Sequence, residues 1–292
     1  MQNDAILCNK FVINFRELRC FNYLCANFIG FMRFCSLASG SSGNCYYIEE
    51  GGYGILIDAG ISPKNIKKRL KEIDVDIKQL WGVLITHNHY DHIASIGSLG
   101  EDYNLPVYST QRILTGINEN PKITQKLYQS KRPITAGESF QIGALNITAF
   151  KVEHDTPECV GYYIETETSS LFIATDLGQM NETAASFLVK AKNIVIEANY
   201  DEEMLLRGNY PLFLKQRILS NSGHMANHIT AKCLQQYFQP HWENIFFCHL
   251  SKENNCPEAV LHCINQAFEL IPHAQATLHV LPRTSPTPAF EL

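Results

Sequence analysis

The chain is poor in charge: of its 292 residues only 18% are Asp, Glu, Lys or Arg, and acidic groups outnumber basic ones by 29 to 24. A net charge of −5 gives no bulk cationic field, so a polyanionic substrate would have to be held by local basic groups or bound cations. The 10 cysteines (Cys8, Cys20, Cys25, Cys35, Cys45, Cys159, Cys233, Cys248, Cys256, Cys263) include no CxxC pair and no compact spacing. That argues against a disulfide framework and fits reduced thiols in a cytoplasmic protein. No internal repeat or low-complexity tract stands out. Nor is there a long apolar run near the start: residues 20–31 are too short for a membrane span and carry no A-x-A cleavage site, so no membrane association is expected.

What is there is apolar and strand-forming. At 45% hydrophobic, the chain can bury a sizeable core, and one α/β domain is the expected organisation. Residues 1–31, aromatic-rich and without Gly or Pro until Gly30, differ from the rest of the chain. They read as an extension outside a working domain at 32–292, with Met32 as an alternative start of translation. From Arg33 onward strand-like and helix-like stretches alternate. "RFCSLASGSSGNCYYIEE" reads as strand, Gly/Ser loop, strand, and "YGILIDAG" as a further strand. "SPKNIKKRLKEI" opens on an N-cap Ser and a first-turn Pro, the start signal of an amphipathic helix. "WGVLITH" predicts a strand, "HIASIGSL" a helix, and "LPVYS" another strand. The middle is β-rich through "SFQIGALNITAFKVEH", "CVGYYIETE", "SLFIATD" and "NIVIEANY". Helices are expected around 202–206, 212–219 and 230–238, then strand "NIFFCHL", helix "PEAVLHCINQAFEL", strand "ATLHVL" and a Pro-rich tail. Two β-rich halves, each closing with helices, predict two sheets packed together inside a helical coat.

Chemistry concentrates in "VLITHNHYDHI", residues 83–93. A strand ending at Thr86 releases His87, His89 and Asp91 with a period that points them to one side, and a following helix can aim His92 inward as well. Imidazoles with a compensating carboxylate suit zinc, iron or manganese, and four such groups in six residues can serve two ions. A second candidate is the Gly/Ser block from Ser39 to Asn44. Its backbone N–H groups could nest an anion, with Ser41, Ser42 and Asn44 donating from their side chains, or it could be no more than a tight hairpin turn. Asp58, at the end of "LIDAG", reads as a support for the histidine loop. Lys215, Arg217 and Lys252 could form a basic rim, and Tyr200, Arg207 and Tyr210 could stack on bases or hold phosphate.

The segment "THNHYDH" resembles the HxHxDH signature of the metallo-β-lactamase fold, an αββα sandwich with its site at the sheet ends. The blocks "SLASGSSGNCYYI", "LIDAGIS", "ATDLG", "IEANYD", "YPLFLKQRI", "SGHMANH" and "HLSKENN" are similar, more specifically, to bacterial YycJ/WalJ-type nucleases, over about residues 32–260. The resemblance implies two mixed β-sheets covered by helices, and a cytoplasmic dimetal phosphodiesterase acting 5′ to 3′ on DNA. It implies that His87, His89 and His154 hold one ion, that Asp91, His92 and His249 hold the other, and that Asp176 bridges them. Zinc or manganese would serve, and a hydroxide shared by the two ions would be the nucleophile. Asp91 belongs to the catalytic set as well. His224 would act at the leaving group with Glu197 orienting it; His228 competes with His249 as last ligand, and the strand end before His249 favours the latter. Nothing in the sequence names a protein partner. A hydrolase of small cyclic phosphodiesters, thioesters or lactones is the alternative, and a non-enzymatic metal-stabilised binding protein a further one.

Overall fold

The computed structural model describes residues 30–271 and 275–292. The expected extension over 1–31 therefore lies outside the described residues except for its last two. Strands β1 (Arg33–Ala38), β2 (Cys45–Glu50), β3 (Tyr53–Ile57), β4 (Leu80–Leu84), β5 (Val107–Thr110) and β6 (Lys131–Ile134) build one sheet. Strands β7 (Ser139–Ile142), β8 (Leu145–Val152), β9 (Cys159–Glu165), β10 (Ser170–Ala174), β11 (Asn193–Glu197), β12 (Asn244–Cys248) and β13 (Thr277–Val280) build the other. A last short strand, β14 (Phe290–Glu291), returns to the first sheet, giving the orders β14-β1-β2-β3-β4-β5-β6 and β13-β12-β11-β10-β9-β8-β7. Both sheets are mixed: β1 to β3 and β7 to β10 pair antiparallel, whereas β3 to β6 and β10 to β13 run parallel.

Burial on both faces explains why the central strands are continuously apolar. In β10, Leu171 and Ile173 join the core shared with the first sheet, while Phe172 and Ala174 face the opposite way under the helices. In β12 the same period of two sends Phe246 and Cys248 inward and Ile245 and Phe247 outward. Phe34 of β1 meets Phe246 of β12 at 4.8 Å between ring centroids, and the Tyr162 hydroxyl donates to the Ile85 carbonyl at 2.7 Å, so side chains of β1 and β9 tie the two layers.

Helices complete the layers. In α1 (Pro63–Lys71), the Ser62 side chain caps the Asn65 N–H, and Ile66 and Leu70 are buried. Helix α2 is only Tyr90–Ile93. The helix expected across 92–99 breaks there, and a short π-helical turn follows at Ser98–Asp102. Gly97, between the two, lets the chain pack where a Cβ would stand 2.1 Å from the Gln125 carbonyl oxygen. Helix α3 (Gln111–Glu119) turns Ile113, Leu114 and Ile117 into the first core. Helix α4 (Glu182–Leu188) packs on the outer face of the second sheet. Two short rim helices, α5 (Glu202–Arg207) and α6 (Leu212–Leu219), follow, and then α7 (Asn227–Tyr237) and α8 (Pro257–Phe268), which share the second core. No helix among the described residues is long and apolar enough to cross a membrane.

Within each sheet the parallel strands deliver their carboxyl ends to one edge. Asp58 follows β3, His87 follows β4, His154 follows β8, Asp176 follows β10, Glu197 ends β11 and His249 follows β12. The Pro-rich tail is not mere coil: Phe290 and Glu291 pair with Phe34 and Arg33.

Candidate metal centre

The strand ends place their side chains around one pocket. His87, His89 and His154 present ligand atoms within 4.8 Å of one another, as do Asp91, His92 and His249. His87, His92 and Asp176 form a third such group, and Asp176 recurs with Glu197, His224 and His249. Asp176 thus reaches both the histidine loop and the distant His249. His228 joins none of these groups. Its side chain sits at the start of α7, 38% exposed, with Glu202 at 3.7 Å, whereas His249 is brought together with Asp91 and His92.

The His87, His92, His154 and His249 rings are each oriented by a fixed partner on one nitrogen. The Thr86 hydroxyl donates to Asp58 (2.9 Å to Oδ2), which leaves Thr86 Oγ1 to accept from His87 Nδ1 at 3.0 Å. Asp58 Oδ2 also accepts from His92 Nδ1 at 2.7 Å. His154 Nδ1 donates to the Gly223 carbonyl at 3.0 Å, and His249 Nδ1 to Glu197 Oε1 at 2.9 Å. Partners of this kind set tautomer and ring angle in metal-ligating histidines. The opposite atoms tell the same story: Nε2 of His87, His154 and His249 and Oδ2 of Asp176 are buried without a hydrogen-bond partner. A buried polar atom left so costs on the order of 1–3 kcal/mol. Four of them turned into one pocket fit a bound cation.

Two of the four non-glycine residues with left-handed φ among the described residues lie at the pocket. Asp58 and His249 adopt φ of +60° and +55°, a left-handed conformation costing about 1–3 kcal/mol for a residue with a side chain. Gly60 is required by contact: a Cβ there would stand 1.7 Å from the Asp91 carbonyl oxygen, which accepts from the Asn44 N–H at 2.8 Å.

Residues 53–240 match the beta-lactamase superfamily domain. Over 240 residues the chain is 37% identical to exodeoxyribonuclease WalJ of Streptococcus pneumoniae serotype 2, covering 82% of this chain and 88% of that one. The chain belongs to the beta-lactamase superfamily. It is also 32% identical to exodeoxyribonuclease YycJ of Bacillus anthracis over 241 residues, 82% of this chain and 89% of that one. Among solved structures, the metallo-beta-lactamase fold protein YhfI of Bacillus subtilis overlays with a TM-score of 0.64 at 16% identity, covering 88% of this chain and 99% of that one.

The electrostatics of this superfamily pocket divide in two. Burial pushes His87 well below the ordinary imidazole value, and the His92 ring adds to the effect. His89 falls to about 4 through burial and then the His154 ring, and His154 is lowered by burial despite Asp176. The three-histidine side is therefore neutral, the form that ligates. On the other side burial opposes charge on His249, but Asp176, Asp91 and Glu197 outweigh it and hold the ring up at about 10. His92 is raised in the same way by Asp176 and Asp58. Asp176 itself, although burial disfavours its charge, is held well below the carboxylate range by His249 and His92. His224 hydrogen-bonds Glu197 Oε1 at 2.7 Å, and against burial that carboxylate raises its pKa.

Other sequence candidates fall differently. Ser41 and Ser42 are exposed at the loop tip, free to meet a ligand. Asn44 is not: it is fully buried, its Oδ1 accepts from the Gly40 N–H at 2.9 Å, and its Nδ2 lies 2.9 Å from His92 Nε2. It belongs to the pocket wall because the loop folds inward over Gly60, a reversal that Gly/Ser content alone does not reveal. Tyr200 is buried and Arg207 pairs with Glu203 at 2.7 Å, so neither is poised at the pocket. Sequence reasoning missed Asp155 and a groove of about 960 Å³ beside His89, lined among others by Tyr90, Arg112, Glu119 and Lys122; Glu158, which the sequence placed beside the site without a role, lines it as well. Arg112 lies in the first turn of α3 and Lys122 follows its end; the N-cap Thr110 and spaced Ile113 and Ile117 were the available signal.

Proposed function

We propose that this chain is a metal-dependent phosphodiesterase that degrades DNA as an exonuclease, from the 5′ end, with residues 32–292 as the working unit in the cytoplasm. The observation that carries the reading is the convergence of unpartnered His87, His154, His249 and Asp176 atoms on one pocket, in a chain related along most of its length to exodeoxyribonucleases. His87, His89 and His154 would hold one divalent ion, Asp91, His92 and His249 a second, with Asp176 shared; zinc or manganese would supply Lewis-acid charge to the phosphodiester and make water nucleophilic at neutral pH.

The chain's own groups do the rest. Asp58, Thr86, Glu197 and the Gly223 carbonyl fix the rings, so no reorganisation is needed when substrate arrives. Glu197 keeps the His224 ring protonated near neutral pH through Nδ1, leaving Nε2–H to give its proton to the departing 3′ oxygen. The exposed Ser41 and Ser42 hydroxyls would bond a terminal phosphate, and Arg112 and Lys122, which share the groove with Glu119 and Glu158, would be its cationic contacts to the DNA backbone.

The test is ion analysis of the purified protein combined with product mapping on 5′- and 3′-labelled DNA and RNA. Mononucleotides released progressively from the 5′ end of DNA are expected, with Asp176→Asn folded and inactive. Turnover of thioesters or lactones without any DNA degradation would replace this reading with the small-molecule hydrolase.

A further inference from the structure

We propose that Asp155 is an additional oxygen donor of the three-histidine group and that Arg217 holds it in place. The inference rests on the reading that His87, His89 and His154 hold a cation. Asp155 follows His154 in the loop after β8, and its two carboxylate oxygens have different neighbours. Oδ2 is gripped by the Arg217 Nε of α6. Oδ1 is buried and has no hydrogen-bond partner, 3.2 Å from His154 Nε2 and 3.6 Å from His89 Nε2. His154 Nε2 is itself buried and unpartnered, because Nδ1 of that ring is committed to Gly223.

The separations from the His154 and His89 nitrogens are close to those of co-ligands. Donors bound to one ion at about 2.0–2.2 Å, at angles near 90–110°, stand roughly 3.0–3.5 Å apart. The spacing of Oδ1 from both nitrogens falls at that range or just beyond it. A carboxylate whose one oxygen is tied by a guanidinium keeps its other oxygen fixed in direction, the arrangement by which outer partners orient a ligand. Adding an oxygen to three imidazoles shifts the group toward ions that favour oxygen donors and higher coordination, manganese over zinc. The proposal therefore bears on which metal the enzyme prefers as well as on how tightly it is held.

The experiment titrates metal-stripped full-length protein with Mn²⁺ and with Zn²⁺ against a chromogenic chelator, counts bound ions by mass spectrometry, and follows thermal unfolding of each stripped variant. Parent, Asp155→Asn, Asp155→Glu, Arg217→Ala and His154→Ala are compared. Asp155→Asn is expected to bind one ion as the parent does and the other about 10–100-fold more weakly. The loss should be larger for Mn²⁺ than for Zn²⁺, with Asp155→Glu recovering part of it and Arg217→Ala losing less than Asp155→Asn. Parental affinity at both positions in Asp155→Asn, alongside a weakened His154→Ala, would overturn the Asp155 assignment alone. A parent chain that takes up no ion would overturn the metal reading of the pocket and this inference together.

Discussion

The pocket floor and the rim helices answer to different physics. On the floor, Asp58, His87, His92 and Glu197 are fully buried; Asp58, His92 and Glu197 hydrogen-bond to partners at other strand ends, and His87 to the Thr86 hydroxyl that Asp58 in turn holds. On the rim, α6 has no buried residue, and Leu212 and Phe213 are each 71% exposed. A displaced floor residue leaves an uncompensated polar group in a dry layer, which costs far more than a displaced rim residue. The difference teaches that the donor groups are built into the sandwich, whereas the rim helices are laid over it with few buried contacts of their own.

The sharpest way to break that division is at Asp176, which the floor shares among its donor groups. Asp176→Asn should lower DNA hydrolysis by about 10³-fold while the protein stays folded, measured by product release and circular dichroism. Hydrolysis near the parental rate would show that the floor is not where the chemistry occurs. His224→Gln comes next, at about 10²-fold, with both ions retained. Its defect should largely vanish on a nitrophenyl phosphodiester, whose leaving group needs no proton. An equal defect on both substrates would remove His224 from the leaving-group role.

Charge sharpens the contrast inside the floor itself. His89, near 4, is already deprotonated at pH 7, whereas His249, held near 10, carries a proton that an incoming cation must displace. Metal binding at pH 7 should thus release protons, and apparent affinity should rise with pH until about 10, since the raised pKa favours the metal-free form below that value. Calorimetry in buffers of different ionisation enthalpy checks this; binding without proton release would contradict it. Asp58→Asn removes the acceptor that fixes His92 and should weaken one ion about 10-fold without touching the groove.

The same division decides what could be read in advance. The HxHxDH segment is legible because its four donors lie within six residues, and strand periodicity alone sends them to one side. His154, Asp176 and His249 are legible because each ends an apolar run, and parallel strands bring such ends together. The inward turn of Asn44, the free oxygen of Asp155 and the edge strand β14 depend on contacts between segments far apart in the chain, which no local pattern encodes. Helix α3 is different: its cap and spacing were present in the sequence, and it shapes the groove that sequence reasoning left unassigned.

The smallest expected effect is the most telling for the rim. Phe213 and Arg217 lie four residues apart in α6 and so share one face, about one helical pitch from each other. Arg217 bonds Asp155 beside the histidines, and Phe213, one turn earlier in α6, is 71% exposed. An exposed aromatic in that position suits a nucleobase of a strand whose phosphate is in the pocket, because stacking accepts any base. Phe213→Ala should therefore change folding stability by less than about 0.5 kcal/mol, since the side chain is mostly exposed. It should raise KM for single-stranded DNA about fivefold, near 1 kcal/mol, with kcat and bound metal unchanged. A fall in kcat or in metal content instead would mean that α6 is part of the floor, held through Arg217 as firmly as the strands are, and the distinction between the two regions would have to be redrawn at Asp155.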